Sequence, residues 1–194
     1  MKQHLVAPSA PLQQDPLMTR RKMLGLGLGA AALTLAPGLA EAATLAAGSR
    51  SLRLCNEHTG EAVSATYWEN GEYDPRALKE IDFILRDHHN DEVIGVDTHL
   101  LDLLNNLHRK IGSKQPLQVV CGYRSPQTNA ILASENGSVA ANSFHTVGRA
   151  IDIRLADRTP RQIRDAAKSL HLGGVGYYPR AHFVHVDTGS VRYW

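Results

Sequence analysis

Cysteine is scarce in this chain: Cys55 and Cys121 are the two thiols in 194 residues. That is too few for a disulfide scaffold or for a structural zinc site built from four thiolates. Charge imbalance is also missing, with a formal net charge of +2. Residues 1–42 hold four basic and two acidic side chains, and without them the chain carries 17 of each. A neutral body argues against a protein that tracks nucleic-acid phosphates. There are no internal repeats, and no low-complexity block follows residue 48. With 43% apolar and 21% charged residues the composition is that of an ordinary globular protein, and 16 Gly with 9 Pro exclude a collagen-like chain.

One long uncharged stretch is present, Met23–Ala40, rich in Gly and Ala and interrupted by Pro37. Arg20, Arg21 and Lys22 precede it, and Ala40-Glu41-Ala42 follows with the small-x-small pattern of a signal-peptidase site. The paired arginines resemble a twin-arginine export signal. The expectation is a leader over 1–42, a short linker over 43–49 and a domain over 50–194, acting in the periplasm without stable membrane association after cleavage. A retained membrane anchor is the alternative, and its Gly, Ala and Pro content makes it a poor one. Export would place Cys55 and Cys121 where a disulfide is permitted, and two separate buried thiols are the other reading.

Within the body, Ser51–Cys55 and Ala62–Glu69 read as strands joined at His58-Thr59-Gly60. Asp74-Pro75 opens a helix to about His89, and a second runs from near Asp97 to a C-cap at Gly112 with leucines at helical spacing. Leu117–Cys121 is a short strand, and Ser125-Pro126 opens a helix ending at Asn136-Gly137. Gly148–Leu155 is a strand, Thr159-Pro160 starts a helix to about Leu170, and Gly173–Tyr178 with His182–Asp187 form a closing strand pair. The expected class is α+β, a small antiparallel sheet with helices packed on one face.

Two segments carry chemistry. In Ser143-Phe144-His145-Thr146-Val147-Gly148-Arg149-Ala150-Ile151-Asp152, a loop histidine and a strand aspartate can converge on one point. In His182-Phe183-Val184-His185-Val186-Asp187, strand alternation puts His185 and Asp187 on one face and Val184 and Val186 on the other. Two imidazoles and one carboxylate suit Zn²⁺, which takes three protein ligands and a water when catalytic. Hydrogen-bonded core histidines are the plainer alternative. Asp187 could serve as a base or hold the imidazole of a ligand. His88, His89, His99 and His108 fall on predicted helices as solvated or packed residues. Cys121 lies near Arg124, but a thiol hydrolase would leave His145, Asp152 and His185 unexplained.

The pattern Ser143-x-His145-x-x-Gly148-x-Ala150-x-Asp152 with a later His185 resembles the metal motif of the D-Ala-D-Ala zinc metallopeptidases of the LAS group. Gly122-Tyr123-Arg124-Ser125, Gly173–Pro179 and Phe183–Gly189 resemble the murein endopeptidase K branch of that group. The resemblance covers nearly all of residues 50–194 and implies the LAS (hedgehog/D-Ala-D-Ala peptidase-like) fold. It implies one Zn²⁺ per chain on His145, Asp152 and His185, with Ser143 supporting the ligands. Arg124 is implied to polarise the scissile carbonyl or hold a substrate carboxylate, and Tyr177 and Tyr178 are candidates to line a groove for the stem peptide. The expected substrate is the peptide crosslinks of peptidoglycan, including those between two diaminopimelate residues. A D,D-carboxypeptidase and a non-catalytic zinc-containing murein-binding module are the alternatives. The general base is open between Asp187 and His182: strand alternation favours Asp187, and the position three residues before the last ligand favours His182.

Overall fold

The computed structural model describes residues 48–135 and 140–194. The leader, most of the linker and the Asn136-Gly137 helix end expected from the sequence lie outside the described residues. Strands β1 (Arg50–Asn56), β2 (Ala62–Glu69) and β3 (Glu72–Tyr73) come first, followed by helices α1 (Pro75–Ile84) and α2 (Thr98–Ile111). Then come β4 (Leu117–Cys121), α3 (Pro126–Glu135), a 3-10 turn at Phe144–Val147 and β5 (Ala150–Arg154). The chain closes with α4 (Pro160–Lys168), β6 (Gly174–Tyr178), β7 (Phe183–Asp187) and β8 (Arg192–Tyr193).

The helices start where their caps predict. Asp74 accepts from the Arg76 N–H and Pro75 follows it, while Thr159 and Gln162 form a reciprocal capping box at α4. Gly112 ends α2 in the left-handed conformation. Helix α1 is shorter than its sequence suggests, ending at Ile84 rather than near His89. The Leu85 carbonyl accepts from the Tyr123 N–H, and the Asp87 carboxylate takes the N–H groups of His89 and Ser125. Tertiary partners thus claim the groups that another helical turn would have used.

The class is α+β, but the sheet is neither small nor purely antiparallel. Eight strands run in the order β3-β2-β1-β4-β5-β7-β6-β8. β1 pairs parallel to β4, and β6 parallel to β8. The α1–α2 segment between β1 and β4 is long enough to return the chain to the same end of the sheet, as a parallel pair demands.

A single buried cluster joins α1, α2 and α4 to one sheet face. It includes Ile81, Leu100, Leu104 and Ile163 from the helices, and Leu54, Val119, Ile151, Ile153, Val184 and Val186 from the strands. Each fully buried leucine contributes about 1.5–3 kcal/mol relative to exposure, so the leucine face of α2 anchors that helix firmly. Alternation sends the other side chains of the same strands to the opposite face. There, Cys121 pairs with Asp152, Asp152 with His185, and His185 with Gly176, forming one row across β4, β5, β7 and β6.

Candidate active site

Asp152 and His185 of this row line the floor of a cleft of about 480 Å³, walled by Arg124, Phe144, Tyr178, Phe183, Arg192 and Trp194. His145 reaches it from the 3-10 turn. Ser143 caps that turn, its Oγ accepting from the His145 N–H at 3.3 Å. Gly148 closes the turn at φ 64°, where a Cβ would meet Ile94 and the Gly95 carbonyl at 3.1–3.2 Å. The sequence separation of His145 and Asp152 is therefore spent on one tight turn that aims the histidine back over the strand.

Three side chains converge. His145 Nε2 lies 3.4 Å from Asp152 Oδ1 and 3.2 Å from His185 Nδ1, and His185 Nδ1 lies 2.9 Å from Asp152 Oδ1. The far edge of each ring is also held. His145 Nδ1 is 2.7 Å from the Gly122 carbonyl oxygen, and His185 Nε2 is 3.0 Å from Asp187 Oδ2. A hydrogen bond donated from the far nitrogen leaves the near nitrogen with its lone pair, the tautomer a metal ligand needs.

The electrostatics match. Burial favours the neutral form of Asp152, but His145 and His185 overcome it and hold the carboxyl well below the usual range. Burial likewise opposes charge on His145, yet Cys121 and Asp152 raise its pKa well above the ordinary imidazole value. The site thus concentrates negative potential and draws a proton to the place a cation could take. Cys121, His145 and Asp152 offer donor atoms within 4.8 Å of one another.

Arg124 lines the cleft. Its Nη2 donates to Ser143 Oγ at 3.2 Å, and its Nε is buried with no hydrogen-bond partner among the described residues. Tyr178 stacks on Phe183 at 4.6 Å and accepts from Trp194 Nε1 at 2.9 Å, while the Trp194 indole stands 5.3 Å from the His185 ring.

Other expected residues lie elsewhere. Tyr177 pairs opposite Val184 on the helix side of the sheet, packed against the core beneath the Arg164 guanidinium. It does not line the groove, because one step along a strand reverses the face. His182 is exposed in the turn before β7, at φ 57°, and its carbonyl accepts from Arg154 Nε. The cleft is lined by its neighbours Ala181 and Phe183. Asp187 is fully buried behind His185, and both its oxygens are engaged by Arg192, with the Gly174 and Gly189 N–H groups adding to Oδ1. That is the position of a carboxylate that holds an imidazole, not of one that meets substrate. Cys55 and Cys121 are both free thiols, and Cys55 pairs with Gln118, well short of Cys121 along β4. His88 and His89 follow α1 in a turn rather than continuing it.

Sequence reasoning missed Phe144, Arg192 and Trp194 as cleft walls. Only the run of large side chains at Arg192-Tyr193-Trp194 hinted at them, and a two-residue strand carries too little alternation to assign a face.

Two donors on strands and one on a 3-10 turn, with an arginine beside them, line this cleft, and the comparisons with known proteins cover the part of the chain that holds it. The family model described as "Peptidoglycan L,D-endopeptidase MepK" matches residues 44–194. The chain belongs to the MepK family. The peptidoglycan L,D-endopeptidase MepK of Escherichia coli strain K12 is 38% identical over 175 residues, spanning 90% of this chain and 96% of that protein. The probable peptidoglycan L,D-endopeptidase MepK of Haemophilus influenzae is 37% identical over 176 residues, spanning 90% and 95%. The MepK match takes in the whole described sheet, so the cleft belongs to the shared part of the chain. Among the described residues, no helix is long and apolar enough to cross a membrane.

Proposed function

We propose that this protein is a zinc-dependent murein endopeptidase that hydrolyses peptide crosslinks of peptidoglycan, including bonds between two diaminopimelate residues. The observation that carries the reading is the meeting of His145 Nε2, Asp152 Oδ1 and His185 Nδ1 within 3.4 Å of one another. Two imidazoles with their outer nitrogens already donated, plus one ionised carboxylate, match the donor chemistry of Zn²⁺. When bound, zinc supplies Lewis acidity, which acidifies a water molecule and polarises an amide carbonyl.

The chain's own residues do the rest. His145, Asp152 and His185 hold the cation, and Gly122 and Asp187 keep the two rings turned to it. The Arg124 guanidinium, steadied by Ser143 at the cleft wall, presents its positive charge to the carbonyl oxygen or to a stem-peptide carboxylate, where a preformed cation stabilises developing negative charge. Tyr178, Phe183 and Trp194 give the peptide an apolar wall, and Arg192, paired with Asp187, completes it. Residues 1–42 act as a twin-arginine-type export signal and 43–49 as a linker, delivering a domain over 50–194 to the periplasm, where its substrate lies.

Digestion of purified sacculi with and without a chelator tests the reading. Crosslinked muropeptide dimers should fall to monomers, and chelation should stop the conversion until Zn²⁺ is restored. Release of terminal D-alanine alone would replace the endopeptidase with a carboxypeptidase. Binding without cleavage by the zinc-loaded protein would leave a murein-binding module.

A further inference from the structure

A second group of imidazoles has no part in the chemistry above. His88 and His89 sit in the turn after α1, and the His58 ring lies parallel on His88 at 3.8 Å. With Asp87 they line a pocket of about 220 Å³, separate from the cleft but sharing Arg124 with it as a common wall.

Hydrogen bonds between distant segments build the place. The Tyr123 N–H donates to the Leu85 carbonyl at 2.7 Å, and a Cβ on Gly122 would meet that carbonyl at 2.5 Å. Asn56 Nδ2 donates to the Ile84 carbonyl at 3.0 Å, while Asn56 Oδ1 accepts from the His58 N–H at 2.9 Å. The end of α1 is thus fastened both to β4 and to the turn after β1. The turn itself is closed by the Asp91 N–H on the Asp87 carbonyl at 2.7 Å.

Within it, Asp87, His88 and His89 offer donor atoms that all lie within 4.8 Å of one another. Asp87 Oδ1 and His89 Nδ1 are 3.2 Å apart. Two ligands about 2.0–2.1 Å from one tetrahedral cation stand roughly 3.3 Å from each other. Burial opposes charge on Asp87, but hydrogen bonds from Thr128, His89 and Ser125 outweigh it and hold the carboxyl well below its usual range. Burial, then the His58 and His89 rings, lower the pKa of His88 to about 4. At neutral pH the set is therefore one carboxylate and a neutral imidazole beside an exposed one, and imidazole with carboxylate suits borderline dications.

We propose that Asp87, His88 and His89 hold a second cation, a borderline transition-metal dication such as Zn²⁺, with His58 packing His88 in place. It is additional to the one Zn²⁺ per chain that the family resemblance implies, and it does not rest on the catalytic reading.

Zinc stoichiometry of the full chain by equilibrium dialysis tests the proposal. The wild-type protein should bind two equivalents. The double variant His88→Gln, His89→Gln should bind one and cleave crosslinked muropeptides at the wild-type rate, and His185→Ala should keep the equivalent that the double variant loses. A measurement on the unaltered chain stands even if the double variant fails to fold: two equivalents of Zn²⁺ should slow carbethoxylation of His89 by diethyl pyrocarbonate, with the exposed His99 as the internal comparison. Two equivalents retained in the double variant, a single wild-type equivalent that vanishes in His185→Ala, or equal modification of His89 with and without Zn²⁺ would overturn the second site and leave the catalytic centre standing. A single wild-type equivalent that survives in His185→Ala and vanishes in the double variant would uphold the second site and remove the catalytic zinc instead.

Discussion

Oδ2 of Asp187 lies 3.0 Å from Nε2 of His185, on the edge of the ring opposite Asp152. The imidazole is therefore held between two carboxylates, one inside the cleft and one behind it. Burial disfavours the charge on Asp187, but His185, Arg192 and the Gly189 N–H stabilise it and hold its pKa well below the usual range. The rear carboxylate stays ionised at neutral pH and fixes both the tautomer and the tilt of His185.

Asp187→Asn should preserve the fold, weaken metal binding by about 10–100-fold and lower hydrolysis in parallel. Competition titration against a chromophoric chelator measures the first effect. An unchanged metal dissociation constant with lost turnover would return Asp187 to the role of base.

His182→Ala should retain near-wild-type turnover on crosslinked muropeptides. The side chain is exposed in a turn, and the cleft is lined by its neighbours Ala181 and Phe183. A pH–rate profile that loses its basic limb in this variant would show that His182 does reach the substrate.

Gly176→Ala should displace the cleft wall without unfolding the protein. A Cβ there would fall 2.7–2.8 Å from the Trp194 indole, so the ring must move away from His185 and Tyr178. Because a mobile side-chain end gives way, the expected loss is in kcat/KM rather than in thermal stability. Tryptophan fluorescence should shift to the red, since Trp68 on β2 is remote from the change. An unshifted spectrum with full activity would contradict the assignment of Trp194 to the wall.

The pH dependence of stability should carry a signature of His88. Its ring stacks on His58 at 3.8 Å, and burial first, then repulsion by His58 and His89, lower its pKa to about 4 from 6.5. The unfolded chain takes up this proton as pH falls below 6.5, while the folded chain resists it until near 4. Stability should therefore decline as pH drops through that window and level off below it. Denaturant midpoints across the window should fall less steeply in His88→Gln, and equal slopes in the two proteins would refute the assignment.

Much of the site could be read along the chain because its signals are local. The His145–Asp152 spacing is one turn and one strand, and the alternation through His185 and Asp187 puts both on one face in any register. The base was harder to read, since choosing between His182 and Asp187 depends on where β7 begins and what lies behind it. Tyr177 and Tyr178 are adjacent and chemically alike, and only the pairing of Tyr177 with Val184 tells which one meets the cleft.

The sequence by itself determined the helix starts, the leucine face of α2 and the strand alternation, because caps and periodicity act over a few residues, while the donor trio as a set came from the family resemblance of its motifs. Tertiary structure alone decided the parallel pairing of β1 with β4, the early end of α1, the register shift between Val119 and Cys121 that sets Cys121 opposite Asp152, and the seating of Trp194 over Gly176. Each depends on contacts between segments far apart in the chain, where hydrogen-bond partners and close packing are settled only once the sheet has assembled.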